Sequence, residues 1–432
     1  YPLGRPEHED YLCGELAAMN VRWLKLLALG DSADRALGKL RGIMPIVRYI
    51  RHQPNGNPPD LNADDTKKTL AAVVRHERDY GVRYREYTNE PNYNIEWKDN
   101  WLPPLSVAIA QTVEAYIRAA RWGSEHGLAL PPLVPAPTPT DGMIRGATPT
   151  KQVQESWQGD GITAFSDVLW LERFLALLAD KAPDIVEGGI AIACHNAALN
   201  HPVDFPNDKI NVAEWTAKGY PPDITQFWFP DGAPTGWSNC WRKYEAYDHI
   251  ARKVLGASVP ILSTEGGFWQ WPADDPRYPP MTQWLQAERT QQAAVMMGVA
   301  PSYYFCSGHW CLLNRWAENP NPDWERDAWY HGLGEHLPVV DVLKATVLAP
   351  RPSAQEDTMV EDWRLRQWAY NAIGVPLDVN STLRQHARRH NLGAPLGGVL
   401  SVTHEGVEYA YQPYALGIVY AGGGAPVQHL EW

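Results

Sequence analysis

The chain has 432 residues, enough for one large domain with a substantial core and a smaller one beside it. A formal charge of −12 and a pI near 5.6 exclude a nucleic-acid or anionic-membrane surface, since both need clustered Lys and Arg. No apolar run approaches the length of a membrane span, and twenty Trp and twenty Tyr supply flat faces of the kind that stack on the apolar faces of sugar rings or fill a core.

In chain order the apolar periodicity alternates between strand and helix. It predicts a helix over Glu7 to Met19, a strand over Val21 to Leu27 and a helix over Ser32 to Arg41. Ile43 to Ile50 is the next strand, carrying Arg48, Arg51 and His52 at its end, and a helix capped by Asp64 runs to about Asp79. A strand then leads from Arg83 into Asn89-Glu90-Pro91. Helices over Leu105 to Glu125, Ser166 to Lys181 and Trp241 to Leu255 alternate with strands over Leu128 to Val134 and Gly188 to Ala193. Val259 to Thr264 is a strand running into Glu265-Gly266-Gly267. A helix over Thr282 to Gly298, a strand over Ser302 to Phe305 and a helix over Asp327 to Leu343 follow.

This alternation is the pattern of an α/β fold, a (β/α)8 TIM barrel expected over residues 1–347, with its first strand to be sought before Glu7. Three loops are long enough to build a cleft: Asn92 to Pro103, Pro135 to Phe165, and Cys194 to Asn239. The third carries His195, Asn196, His201, Phe205, Trp215, Tyr220, Phe227, Trp228, Phe229 and Trp237, either a substrate wall or a loop packed on itself. At Leu348 to Ala354 the composition turns linker-like, and a small α+β module is expected over 348–432. Its helices are Glu361 to Ala372 and Ser381 to His390. Its strands are Gly398 to Thr403, Val407 to Gln412 and Leu416 to Tyr420, with Glu405-Gly406 as a hairpin turn.

In a parallel barrel all strand C-termini open on one face, so residues ending different strands converge there. Glu90 and Glu265 are the two strand-end glutamates. Two carboxyl groups about 5 Å apart across a sugar split a glycosidic bond, one protonating the leaving oxygen and the other attacking the anomeric carbon. The acid needs a raised pKa, which apolar surroundings or the second carboxylate supply. Glu86 lies deeper on the same strand and Glu96 lies beyond it on a loop, as rivals. Arg48 either keeps Glu265 ionised or forms a salt bridge at the barrel bottom. His195 and Asn196 either orient the nucleophile and touch a sugar hydroxyl or serve the structure. Trp97, Trp101, Trp269 and Trp271 are stacking candidates.

Asn89-Glu90-Pro91 after one strand and Thr264-Glu265-Gly266-Gly267 after a later one resemble clan A glycoside hydrolases, retaining enzymes on (β/α)8 barrels. The resemblance implies that Glu90 is the acid/base, Glu265 the nucleophile and Asn89 the residue that hydrogen-bonds the sugar 2-hydroxyl. Trp310, beside His309 after the last strand, is similar to the clan's aromatic floor under the sugar being cleaved. The implied substrate is a β-linked polysaccharide or oligosaccharide, cleaved without a cofactor. Secretion is expected, since polysaccharides are too large to enter most cells. A non-catalytic carbohydrate-binding protein on a degenerate barrel is the alternative.

Other chemistries find little support. His195 and His201 have no metal-ligand spacing, and no Gly-rich phosphate loop or Gly-x-Ser-x-Gly elbow is present. Cys13, Cys194, Cys240, Cys306 and Cys311 read as free thiols, with Cys194–Cys240 and Cys306–Cys311 as the pairings open to them. In the C-terminal module no carboxylate pair or His/Cys cluster reads as a site. Its Tyr409, Tyr411, Tyr414, Tyr420 and Trp432 either bind sugar or pack in the core.

Overall fold

Strands and helices alternate through the first 346 residues of the computed structural model, which describes residues 6–27, 31–40, 42–49, 64–219, 239–270, 275–314, 322–325, 327–346, 382–390, 399–404, 407–414, 417–422 and 426–431. Strands β1 (Trp23–Leu27), β2 (Met44–Arg48) and β3 (Tyr84–Glu86) form one parallel sheet. A short hairpin, β4 (Met143–Ile144) and β5 (Ile162–Ala164), lies in a loop. Strands β6 (Ile192–Ala197), β7 (Ile261–Gly267) and β8 (Tyr304–Ser307) form a second parallel sheet.

The segment Leu133-Val134 joins the two sheets. Leu133 N–H donates to Arg85 O at 2.8 Å, and Val134 bridges Ile192 in parallel and donates to Ala191 O at 2.8 Å. The strand expected over Leu128 to Val134 shrinks to this segment because Pro131 and Pro132 have no N–H for the ladder. Among the described residues seven parallel segments, here called staves, result. Side chains alternate across each stave, and the inward set forms one apolar layer of Trp23, Ile46, Tyr84, Leu133, Ala193, Leu262 and Phe305, one from every stave. Trp23 meets both Tyr84 and Phe305, with ring centroids 5.3 and 5.4 Å apart, so side chains of β1 and β8 are in contact. Among the described residues no hydrogen-bonded pairing joins β8 to β1, and residues 1–5, where the sequence seeks another strand, lie outside those described.

The outward side chains pack against helices. On the helix Leu105–Glu125 the buried residues Leu105, Ala108, Ile109, Thr112, Val113, Tyr116, Ala119 and Ala120 recur every three or four positions, giving the one apolar stripe that a surface helix buries. Helices Asp167–Lys181 and Lys243–Leu255 complete that layer. Phe174, Leu175, Leu178, Tyr247 and Ile250 lie in one cluster with the outward Ile192, Cys194, Ile261 and Tyr304.

Two expectations are corrected. The strand expected over Gly188 to Ala193 starts at Ile192, because residues Pro183–Gly188 form a helix that Gly189 ends at φ +103. His195 and Asn196 therefore lie within the strand. The helix expected over Asp327 to Leu343 is a hairpin, β9 (Tyr330–Gly332) and β10 (Glu335–His336), followed by the helix Pro338–Ala345. Gly334 at φ +78 makes the turn and Pro338 opens the helix, where its missing N–H costs nothing.

The chain divides into two compact units, residues 1–351 apart from 187–189, and residues 352–432 with 187–189. In the second unit β11 (Leu400–His404), β12 (Val407–Tyr414), β13 (Gly417–Gly422) and β14 (Gln428–Glu431) form an antiparallel meander. Strand β14 goes beyond the three strands the sequence suggests. The helix Thr382–Arg389 packs Leu383 and Ala387 on Val419, with Ala421 and Val427 alongside. The expected helix over Glu361 to Ala372, the linker over Leu348 to Ala354, the turn at Glu405-Gly406 and Trp432 lie outside the described residues.

Candidate active site

Two residues beyond the apolar layer, toward the strand C-termini, the inward positions turn from apolar to charged. Lys25 follows Trp23, Arg48 follows Ile46, Glu86 follows Tyr84 and His195 follows Ala193. Glu265 is three residues beyond the inward Leu262, so simple alternation points it outward. A register shift reverses that. Cys194 pairs with Ser263, His195 pairs with Glu265, and Thr264 is passed over. One extra residue on one strand flips every later side chain, so this bulge turns Glu265 in beside His195. The two glycines that follow are fixed by space: a Cβ on Gly266 would strike the Asn196 amide, and Gly267, at φ +101, lies against the His309 ring.

Charge pairing holds the cluster. Lys25 Nζ lies 2.8 Å from Glu265 Oε1 and 2.7 Å from Glu86 Oε2. Arg48 Nε donates to Glu86 Oε2 at 3.0 Å while its Nη2 donates to Glu265 Oε1. Each cation thus serves both carboxylates. Burial pushes the Glu265 carboxyl up, but Lys25 and Arg48, with His195 adding, outweigh it and hold the group well below the usual carboxylate range. Glu86 follows the same balance: burial raises it, and Lys25 and Arg48 bring it to about 2.

Glu90 lies past the end of β3, in a turn closed by Tyr93 N–H donating to Glu90 O at 2.9 Å, with φ +33. Its Oε1 is 2.8 Å from His195 Nδ1, and His195 Nε2 is 3.9 Å from Glu265 Oε1. One imidazole therefore stands between the two carboxylates. That span accommodates both the retaining separation of about 5–5.5 Å and much of the inverting range of about 6.5–9.5 Å. Asn89 Nδ2 donates to Glu96 Oε1 at 2.6 Å. Burial pushes Glu96 up to about 8, with the charges of Glu90 and Glu265 adding to it against the Asn89 hydrogen bond and Arg48. That shift favours the protonated form of Glu96 at pH 7.

Of the residues expected from sequence, Glu90, Glu265, Arg48 and His195 come together directly, and Asn89, next to Glu90 in the chain, is hydrogen-bonded to Glu96. Lys25 was not anticipated. The signal for it is a lone lysine between apolar neighbours in Trp23-Leu24-Lys25-Leu26, at the inward phase set by Trp23. The Gly266 carbonyl accepts from Trp269 Nε1 at 3.1 Å and from the Trp310 N–H at 2.8 Å, which holds both half-buried tryptophans next to the Glu265 turn. Trp310 meets Trp324 edge-on at 5.2 Å, and the Trp310–Cys311 peptide bond is cis.

Other expected contacts fall elsewhere. Asn196 faces outward from β6 and is wholly buried. Its amide donates to Trp241 O and to the Tyr304 hydroxyl, each at 3.0 Å, and accepts from Ser263 Oγ, so it serves the core rather than a substrate. Trp97 is 6% exposed and donates Nε1–H to Pro91 O at 2.9 Å, so it backs the Asn89-Glu90-Pro91 turn rather than offering a stacking face. His201 stacks on the buried Phe205 at 3.9 Å and Trp215 is buried, so the described part of the third long loop packs on itself. Tyr220, Phe227, Trp228, Phe229, Trp237, Trp271, Arg51 and His52 lie outside the described residues. All five cysteines are free thiols, four of them buried. No described helix is long and apolar enough to cross a membrane.

No protein-family profile and no curated protein matches the chain. Similar solved structures include a GH128 (subgroup I) endo-beta-1,3-glucanase from Amycolatopsis mediterranei in complex with laminaritriose and laminaribiose, at 12% identity over 78% of this chain and 95% of that one, TM-score 0.39. A xylanase from Cellvibrio japonicus in complex with xylopentaose is similar at 10% identity over 76% and 68% of the two chains, TM-score 0.39. The CBM22-1–GH10 modules of a Clostridium thermocellum endo-1,4-beta-D-xylanase complexed with xylohexaose are similar at 12% identity over 78% and 68%, TM-score 0.38. Likeness this slight carries no argument for this chain.

Proposed function

We propose that the chain is a retaining glycoside hydrolase on a (β/α)8 barrel over residues 1–347, with an accessory module over 348–432, acting on a β-linked polysaccharide or oligosaccharide outside the cell. The observation that carries this reading is the pairing of Glu265, kept ionised by Lys25 and Arg48, with Glu90 across the His195 ring. Glu265 attacks the anomeric carbon as Glu90 gives its proton to the leaving oxygen, and the glycosyl ester on Glu265 is then resolved by a water that Glu90 deprotonates. Lys25, Arg48 and His195 all meet Oε1 of Glu265, so Oε2 is the attacking oxygen. Trp310 and Trp269 flank the turn after Glu265 as surfaces for a sugar ring.

A second reading exchanges the proton donor. Glu96, pushed up to about 8, already carries at neutral pH the proton that a general acid needs. Wild type, Glu90→Gln, Glu96→Gln and Glu265→Gln would be assayed on β-glucans, mannans, galactans and xylans, with the product anomer followed by NMR. Retention of configuration, with activity abolished in Glu90→Gln and Glu265→Gln but only reduced in Glu96→Gln, supports the first assignment. Turnover surviving Glu90→Gln but not Glu96→Gln selects the second. Inversion would overturn the double displacement. Glycan binding without turnover in the wild type favours the binding-protein alternative.

A further inference from the structure

The second unit contains a group of side chains that no glycosidase chemistry uses. His386 and His390 are four residues apart, one in the middle of the helix Thr382–Arg389 and one just past its end, and the His390 N–H donates to His386 O at 3.2 Å, so the helical turn continues and the two rings share a face. The third member comes from the sheet. His429 on β14 pairs with Val419 on β13, and partners directly opposite in an antiparallel pair point to the same side. Val419 is the residue on which Leu383 and Ala387 pack, so His429 points at the helix. The expectation that this module holds no histidine cluster is corrected here.

We propose that His386, His390 and His429 form a binding site for a divalent transition-metal ion of the zinc type. One ring nitrogen from each lies within 4.8 Å of the others. His386 Nε2 and His429 Nδ1 are 3.0 Å apart, and the three ring centroids are separated by 4.4, 5.2 and 4.2 Å. A tetrahedral ion with bonds of about 2.0–2.1 Å sets its nitrogen ligands roughly 3.3 Å apart. The His386–His429 pair, at 3.0 Å, is close to that spacing, and the exposed His390 ring, with a nitrogen within 4.8 Å of both, would turn to bring in the third.

The donor set indicates which ion. Three neutral imidazoles without a carboxylate suit zinc, copper or nickel, whereas magnesium and calcium take oxygen ligands. Three protein ligands leave a fourth position for water. His386 and His429 are half-buried and His390 is exposed, so the site is open to entry. The consequence is mechanical: the ion ties the helix to the last strand. Among the described residues only Leu383, Ala387 and Val419 make up the buried core of this unit, and small cores are where a metal crosslink contributes most.

The test uses the full chain, stripped with chelator and dialysed. Titration with zinc chloride in a calorimeter is expected to show one ion per chain, with cobalt(II) giving tetrahedral absorption bands at the same stoichiometry and neither magnesium nor calcium binding. His390→Gln alters an exposed ring and should leave the fold intact by circular dichroism. It is expected to weaken zinc by at least the ~10–100-fold that losing even a supporting residue costs a metal site, and His390→Gln with His429→Gln to abolish binding. Zinc should raise the melting temperature of the wild type and not that of the double variant. No zinc binding by the stripped wild type overturns the proposal. Undiminished binding by His390→Gln, which decides the matter even where the double variant does not fold, overturns it as well.

Discussion

Lys25→Met removes the ammonium that lies 2.7 Å from Glu86 and 2.8 Å from Glu265 while keeping most of the side-chain volume. Opposite charges about 4 Å apart interact by about 4 kcal/mol at an effective dielectric of about 20, and these pairs are closer than that. Arg48 remains on both carboxylates and water entering the site screens them, so roughly half of that figure should be lost at Glu265. At 1.36 kcal/mol per pH unit, this moves the ionisation of Glu265 up by about 1.5 pH units. Its pKa is depressed in the folded chain, so the ionised nucleophile exists above the folded value and is lost as pH falls through it. The acid limb of kcat/KM should therefore lie well below the ordinary carboxylate range in the wild type and about 1.5 units higher in Lys25→Met. Stability follows the same sign. The contributions of Glu86 and Glu265 are present above about 4.5, the unperturbed value, and are lost as pH falls through the folded values. Removing one partner of a buried pair costs about 3–5 kcal/mol, so urea melts should show that loss at pH 7 and a smaller one below about pH 2, where the folded carboxylates protonate. Carboxyl NMR of 13C-labelled glutamate reads the ionisation without a substrate. An unmoved acid limb, with a stability loss equal at both pH values, would refute the electrostatic role of Lys25.

Glu96→Gln mimics the neutral acid. A carboxyl raised to about 8 from 4.5 takes up a proton on folding between those values, so wild-type stability falls as pH rises from about 4.5 to 8. The variant should match the wild type in melting temperature at pH 4 and exceed it at pH 9; parallel curves would show that Glu96 is not neutral in the fold. Asn196→Ala removes the buried amide that bonds the Trp241 carbonyl, the Tyr304 hydroxyl and Ser263, a loss of about 1–3 kcal/mol. Chemical denaturation should show that loss, with KM unchanged; a raised KM at unchanged stability would return Asn196 to the substrate. Gly266→Ala drives a methyl into Asn196 and should cost about 1–3 kcal/mol by the same measurement.

Much of the site was legible from strand periodicity. Ile46, Val47 and Arg48 alternate in, out and in, and the same two-residue step carries Trp23 to Lys25 and Tyr84 to Glu86, so the charged ring above the apolar layer follows from counting along each strand. The step fails in two places. Its start was misjudged in β6, where the Gly188-Gly189 helix end delays the strand; with Ala193 inward and Cys194 outward, His195 faces the site and Asn196 the core. In β7 the extra Thr264 reverses the phase, and no residue type marks a bulge as Gly-Gly marks the turn after it. Trp97 was misread for a different reason: composition counts aromatic rings but does not say which side of a loop they fall on. The His386–His390 spacing is visible on the predicted helix, whereas His429 reaches it only through the pairing of β14 with β13.

If Glu265 is the nucleophile, a covalent trap should label it. The wild type would be incubated with activated 2-deoxy-2-fluoro glycosides of the sugar whose polymer it cleaves, then digested and its peptides analysed by mass spectrometry. One glycosyl adduct per chain is expected, on Glu265 and absent from Glu265→Gln. An adduct on Glu90 or Glu96, or inactivation-resistant turnover with no adduct, would contradict it.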